Sequence, residues 1–283
     1  MRKVPRETPP PRGWGSVARR GARTLGRPAE RTPDRLPPIP SGPREKGWVA
    51  ERWVKDPSPP SKTPRPASGR PPGGSSVPRE VVNELGSVAG ARQGDRLARL
   101  LAEAARAYDH DRYSEARRLL RPLVGLVPSS AAVRELLGLT LYRQGKWREA
   151  VQELEAFVAL SRSLDQHPVL ADCHRALKHW VKVDELWQEL RESSPSAGLV
   201  AEGRIVAAGA LADQGQVKAA VKLLEGSSSL GRRPRLHQLR LSYALADLYE
   251  RAGETARARE LFATIVTRDP AFADASERRA ALG

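Results

Sequence analysis

The sequence lacks several residue types and patterns, and each absence excludes a class of protein. Its single cysteine, Cys173, excludes a disulfide framework within the chain and a cysteine-based zinc finger. No apolar run approaches the roughly 18–20 residues that span a bilayer. In a secretory signal an apolar segment follows the basic N-terminus, and the sequence has no such segment. We therefore expect a cytoplasmic protein without a transmembrane segment.

Catalytic spacings are also lacking. HExxH and GxSxG do not occur, and the Gly145-Lys146 pair is followed by tryptophan, where a phosphate-binding loop needs Ser or Thr. Asp109, His110 and Asp111 are interpreted as residues of a turn. We interpret Cys173 as a packed thiol, and His174 and His179 as surface or turn histidines. The sequence thus predicts no enzyme, no cofactor and no metal site.

Charge and proline are distributed unevenly along the chain. Residues 1–80 hold 18 of the 24 prolines, and their 18 Lys and Arg outnumber their 7 Asp and Glu, a net charge of +11. Residues 81–283 hold 30 basic and 26 acidic residues, a net charge of +4. High charge, many prolines and few aliphatic side chains predict a disordered basic tail over residues 1–78. A folded body is expected over residues 79–283.

Two tryptophans, Trp48 and Trp53, interrupt the tail, each followed by valine. They indicate either a short element that folds onto a partner or onto the chain's own body, or isolated aromatics in a linker. Arginine runs such as residues 19–23 suit the phosphates of nucleic acid, and suit anionic lipid or acidic protein equally. Trp48 and Trp53 are therefore the candidate contact residues of a tail whose partner stays open.

The body repeats one pattern of small, aromatic and alanine positions. In its clearest copy these positions are Leu137, Gly138, Leu141, Gly145, Trp147, Ala150, Leu154 and Phe157. Related offsets recur in copies that start near residues 97, 131, 164, 201 and 239. A glycine suits the turn that ends the first helix of a copy, and an alanine suits a close crossing of two helices. Each copy alone leaves an apolar face uncovered, so that stacking of several copies creates the core.

This pattern resembles the tetratricopeptide repeat, a helix–turn–helix unit of 34 residues. The resemblance covers about residues 97–270. It implies an all-α fold, a right-handed superhelical α-solenoid of about five repeats, with a cap helix over residues 271–282. A lead-in helix is expected to bury Val81, Val82, Leu85 and Val88. The third copy departs from the motif, since Lys178 replaces the turn glycine and Val183 replaces the alanine.

The resemblance also implies a binding surface, the concave face formed by the first helices of the repeats. This face mixes tyrosines with charges of both signs and is acidic in copies three to five. We predict partner contacts at Tyr108, Glu135, Tyr142, Arg143, Asp172, Arg175, Tyr243 and Asp247. Charge reversal at Arg143 and Arg175 is expected to abolish partner capture. The family's clamp for C-terminal carboxylates is rejected, because the only asparagine, Asn83, lies outside the repeats.

These patterns predict a non-enzymatic scaffold that binds a protein partner. A basic or extended peptide suits the acidic part of the concave face. The alternative is an RNA- or ribosome-associated factor that holds nucleic acid through residues 1–78, for which binding would weaken steeply with salt. The sequence does not choose an oligomeric state.

Overall fold

A computed structural model of the chain describes residues 77–228 and 230–283. Within these ranges it consists of twelve α-helices joined by turns, and it contains no strand. The helices are α1 Arg79–Ala89, α2 Ala91–Asp109, α3 Tyr113–Leu126, α4 Ala131–Arg143, α5 Trp147–Ser161, α6 His167–Ala176, α7 Trp180–Ser193, α8 Ala197–Asp213, α9 Val217–Glu225, α10 Leu236–Arg251, α11 Thr255–Arg268 and α12 Ala275–Ala281. The predicted disordered tail, with Trp48 and Trp53, lies outside the described residues.

The chain divides into two compact units between Lys178 and His179. Of the described residues, the first unit contains helices α1 to α6 and the second contains α7 to α12. The five predicted copies correspond to the pairs α2–α3, α4–α5, α6–α7, α8–α9 and α10–α11. The all-α class and the helix–turn–helix repeats are therefore confirmed. The division falls in the third copy, where the sequence departs from the motif.

A residue with left-handed backbone follows the first helix of every pair. These residues are Asp111, Gly145, Lys178, Gly215 and Gly253, with φ between 59° and 80°. In the second pair the turn is closed by the Lys146 amide, which donates to the Leu141 carbonyl over 2.9 Å. Glycine adopts this conformation without strain, whereas a side chain there costs about 1–2 kcal/mol. Asp111 therefore occupies the turn position that glycine holds in three other copies.

Small residues let the helices of a pair approach closely, as predicted. The alanines at the crossings are fully buried: Ala116, Ala150, Ala220 and Ala258. In the second pair, a Cβ atom added to Gly138 would lie 2.7 Å from the side chain of Leu154, closer than real contacts allow. Glycine and alanine thus fix the spacing at which leucine and aromatic side chains of the next helix fill the core.

The lead-in helix α1 packs against α2 at the start of the first unit. A Cβ atom added to Gly94 would lie 2.5 Å from the Cα atom of Gly86, so the two backbones touch. Val81 and Leu85 are buried as predicted. Val88 was predicted on the same buried face but is 46% exposed. Val88 lies in the last turn of α1, just before the turn at Gly90.

The second unit encloses one hydrophobic core. Its largest fully buried side chains are Tyr243 and Phe262, whose rings meet edge to face with centroids 5.4 Å apart. The final helix α12 begins at Ala275, four residues after the start of the predicted cap helix. Phe272 enters the core first, and Ala273 turns the chain with a φ of 47°. Burial of the Phe272 ring delays the helix.

Candidate interaction surface

The first unit joins three predicted contact residues in one buried cluster. The Tyr142 hydroxyl donates to Asp172 Oδ2 over 2.8 Å, and Arg175 Nη1 donates to Asp172 Oδ1 over 2.9 Å. Tyr142 lies on α4, while Asp172 and Arg175 lie on α6. Each residue is less than 9% exposed. The cluster therefore links the first helices of two successive repeats.

Glu135 and Gln166 form a second link between these repeats. The Gln166 side-chain amide donates to Glu135 Oε1 over 2.7 Å, and both residues are buried. Glu135 was predicted to contact a partner, but its side chain has no exposed surface. A buried carboxylate is tolerated only when polar groups surround it, and Gln166 supplies one of them.

Tyr108 and Arg143 belong to a third cluster, at the first turn of the repeats. Arg143 Nη2 lies 3.2 Å from Asp111 Oδ1, and its guanidinium lies 4.6 Å from the centre of the Tyr113 ring. The Tyr108 and Tyr113 rings meet edge to face at 5.5 Å, and the Tyr113 hydroxyl donates to Asp111. The cation and the two rings enclose each other, so Tyr108 is only 6% exposed.

In the second unit the two predicted contact residues, Tyr243 and Asp247, contact the cap helix α12. Arg278 of α12 donates to Asp247 Oδ1 over 2.7 Å and to Glu250 Oε2 over 2.6 Å. Its guanidinium lies 4.9 Å from the centre of the Phe262 ring and 5.5 Å from that of Tyr243. The arginine thus sits between two carboxylates and two aromatic rings.

Two further ion pairs join the first helices α8 and α10. Glu202 pairs with Arg240 over 2.8 Å, and Asp213 pairs with Arg251 over 3.7 Å. The side chains of Glu202, Asp213, Asp247 and Glu250 are between 22% and 39% exposed. The second unit therefore presents four partly accessible carboxylates on its first helices, which we call the acidic ladder.

The predicted contact residues thus fall into two groups. Tyr108, Glu135, Tyr142, Asp172 and Arg175 are buried in links within the first unit. Arg143 is 9% exposed at its side chain, Tyr243 is buried, and Asp247 is accessible as part of the acidic ladder. A role in partner binding stays a prediction for all of them.

Sequence reasoning missed Arg278, the residue that organises the end of the second unit. It lies in the predicted cap helix, and its side chain is only 16% exposed. The sequence shows two adjacent arginines in α12, but it does not indicate which of them turns inward. The repeat offsets end before α12 and could not place it.

Burial raises the pKa of every tyrosine in the sequence. The pKa rises to about 12 for Tyr108, Tyr243 and Tyr249, and well above the usual 10 for Tyr142. The pKa of Tyr113 is also raised. Neighbouring arginines oppose these shifts, and the adjacent carboxylates add to them. All five hydroxyls therefore stay protonated where a free tyrosine ionises.

The raised tyrosine pKa values predict a pH dependence. At pH 10 the folded protein will form little phenolate, while the unfolded chain is about half ionised. The unfolded state then holds fewer protons, so the free energy of unfolding falls as the pH rises from about 10 to about 12. An absorbance titration of the native protein and of the protein in guanidinium chloride measures both curves. Coincident midpoints near pH 10 would contradict the prediction.

The cysteine and histidines of the third copy differ from expectation in one respect. Cys173 is fully buried, which agrees with a packed thiol, and burial raises its pKa. His179 is exposed as predicted, but His174 is 4% exposed, with Nε2 3.6 Å from Glu155. His174 is therefore a buried residue rather than a surface one. It lies in the last turn of α6, which packs against α5.

None of the described helices is both long enough and apolar enough to cross a membrane. Among residues 77–228 and 230–283, no group of three or more His, Cys, Asp or Glu is arranged to hold a metal ion.

Comparison with known proteins gives two matches to family models, both described as tetratricopeptide repeat, over residues 101–165 and 241–271. No curated protein matches the sequence. The fold is similar to the crystal structure of TTC0263, a thermophilic TPR protein of Thermus thermophilus, with a TM-score of 0.51 and 19% identity. That match covers 66% of this chain and 98% of the other. The TPR domain of P58(IPK) matches with a TM-score of 0.36 and 18% identity, over 68% of this chain and 56% of that one.

Proposed function

Because the chain belongs to the tetratricopeptide-repeat proteins, we propose that it is a non-enzymatic scaffold that binds a partner protein. The binding surface is the acidic ladder of the second unit, formed by Glu202, Asp213, Asp247 and Glu250. The partner supplies an extended segment with basic side chains. The observation that carries this proposal is the partial exposure of all four carboxylates.

The position of Arg278 supports the chemistry of this surface. Its guanidinium contacts two carboxylates and two aromatic rings. The carboxylates attract it as ion pairs and the rings through cation–π interactions. Arg278 uses Asp247 Oδ1 and Glu250 Oε2. The second oxygen of each carboxylate is left for a basic side chain of the partner. Glu250 is the more accessible of the two, at 39%.

The weakest ion pair of the ladder supports binding of an extended segment. Arg251 lies 3.7 Å from Asp213 and 3.4 Å from the Ala212 carbonyl, both long contacts. An arginine held this loosely can exchange its contacts for carbonyl groups of an incoming backbone. The partner's main chain would then bind Arg251, while its basic side chains bind the carboxylates.

The test is partner capture by the full chain from cell extract after nuclease treatment. In the double variant Glu202→Lys/Glu250→Lys, we expect capture of at least one protein to fall about tenfold or more. The matched control is Glu260→Lys/Glu277→Lys, which makes the same charge change at exposed positions of α11 and α12. Equal capture by both folded variants would overturn the proposal. Capture that disappears with nuclease would favour the alternative of a nucleic-acid partner.

A further inference from the structure

Helix α2 carries a stripe of arginines on its exposed face. Arg92, Arg96, Arg99 and Arg106 follow one another in steps of four, three and seven, and Glu103 fills the gap. At 3.6 residues per turn these positions lie within an arc of roughly 80° and extend over about 21 Å. We call these four residues the arginine stripe. The opposite side of α2 is buried, with Leu97, Leu101 and Ala104 in the core.

The arginine stripe is not neutralised within the described chain. All four side chains are exposed, and none forms an ion pair with residues 77–228 or 230–283. Other arginines of the same unit do pair: Arg121 lies 2.7 Å from Glu149, and Arg134 lies 2.7 Å from Glu153. Arg118 and Arg148 of the same unit are also exposed and form no ion pair with the described residues, but they lie on different helices, whereas the four arginines of the stripe lie on one face of one helix.

The like charges within the stripe do not favour folding of the helix. Like charges three and four residues apart on a helix are unfavourable by about 0.2–0.5 kcal/mol per pair. Arg92, Arg96 and Arg99 form two such pairs. Asp95 and Glu103 lie three or four residues from Arg92, Arg99 and Arg106 and offset part of this repulsion, but neither carboxylate forms an ion pair with the stripe. A ligand that brings negative charge to this face offsets the repulsion between the arginines. This makes its free energy of binding more favourable.

We propose that the arginine stripe binds an acidic helix of a partner protein that lies along α2. The partner helix presents carboxylates at the same four- and three-residue spacing, and a basic side chain opposite Glu103. Arginine suits this role because its planar guanidinium binds a carboxylate through two parallel hydrogen bonds. This surface is separate from the acidic ladder and takes the opposite charge, so the inference does not depend on the proposed function.

Glu103 favours a protein over nucleic acid as the occupant. A phosphate backbone carries negative charge at every step and would meet Glu103 inside the stripe, and Asp95 beside it. A helix can instead place one lysine opposite Glu103. The side-chain pattern of α2 thus matches a patterned ligand rather than a uniformly charged one.

The test uses a synthetic helical peptide and the full chain. The peptide carries glutamates at the stripe spacing and one lysine opposite Glu103, and its binding is followed by fluorescence anisotropy. A peptide of the same composition in scrambled order measures binding to the basic tail. We expect Arg96→Glu/Arg99→Glu to weaken the patterned peptide about tenfold or more, which corresponds to about 1.4 kcal/mol.

The matched control is Arg148→Glu/Lys218→Glu, which makes the same charge change at exposed positions of α5 and α9. It is expected to bind like the wild type, and thermal melts verify that both double variants fold. The variant Glu103→Lys should prefer a peptide in which glutamate replaces the lysine. Equal binding of patterned and scrambled peptides would overturn the proposal. So would single-stranded RNA that binds more tightly than the peptide and is lost in Arg96→Glu/Arg99→Glu.

Discussion

Replacement of Asp172 by alanine is expected to lower the free energy of unfolding of the first unit by about 3–5 kcal/mol. Asp172 accepts hydrogen bonds from Tyr142 and Arg175, and all three residues are buried. Without the carboxylate, the guanidinium loses a counter-charge 2.9 Å away at a site that is only 7% exposed. Because a domain is stable by only about 5–15 kcal/mol, this loss is a large fraction of the total.

Urea unfolding and hydrogen exchange measure this effect. Amides of α4 and α6 should lose protection in Asp172→Ala, while those of α10 and α11 keep it. Asp172→Asn retains an acceptor for the Tyr142 hydroxyl and should lose less stability. The control Glu103→Ala removes an exposed carboxylate of the same unit and should cost less than about 0.5 kcal/mol. A loss below about 1 kcal/mol in Asp172→Ala would contradict the assigned role of the cluster.

The same cluster changes how partner-binding experiments must be designed. Charge reversal at Arg175 would place a second carboxylate beside Asp172, since the present distance is 2.9 Å. Capture would then be lost through damage to the fold, whether or not Arg175 contacts a partner. Charge reversal at Glu250 carries less of this ambiguity. Glu250 also pairs with an arginine, Arg278, but its side chain is 39% exposed, so a lysine there can extend into solvent.

The repeat architecture was predictable because its causes are local. A left-handed turn favours glycine and a close helix crossing favours alanine. Gly145 and Ala150 therefore depend only on the geometry of their own helix pair. The fourth and fifth copies keep both choices, and the first keeps the alanine alone. The lead-in helix was predictable in the same way from the spacing of Val81 and Leu85.

Whether the predicted contact residues are buried or exposed was not predictable, because it depends on the next repeat. The offset of Tyr142 places it on the first helix of its copy, but only the fold shows that Asp172, 30 residues later, meets its hydroxyl. The same limit applies to Arg278, which reaches Asp247 from 31 residues away. Periodicity identifies a face, and it does not tell whether a side chain on that face meets solvent or a neighbouring helix.

Truncation of Phe262 to alanine is expected to destabilise the second unit by about 3–5 kcal/mol. The ring is fully buried and contacts Tyr243 edge to face at 5.4 Å. It also lies 4.9 Å from the Arg278 guanidinium. Its removal therefore leaves a cavity in the core and takes away one of the two rings that hold Arg278 beside the acidic ladder.

Two measurements separate the loss of core packing from the change at the surface. Urea unfolding gives the stability, and an NMR titration of the assigned Tyr243 ring follows its pKa, which is about 12 in the intact unit. In Phe262→Ala water reaches the Tyr243 ring, so its pKa should move back towards 10. Phe262→Leu keeps most of the volume and should cost less than about 1.5 kcal/mol, with the pKa of Tyr243 still raised. If Phe262→Ala lost stability without any fall in the pKa of Tyr243, burial by this ring would not be the cause of the shift.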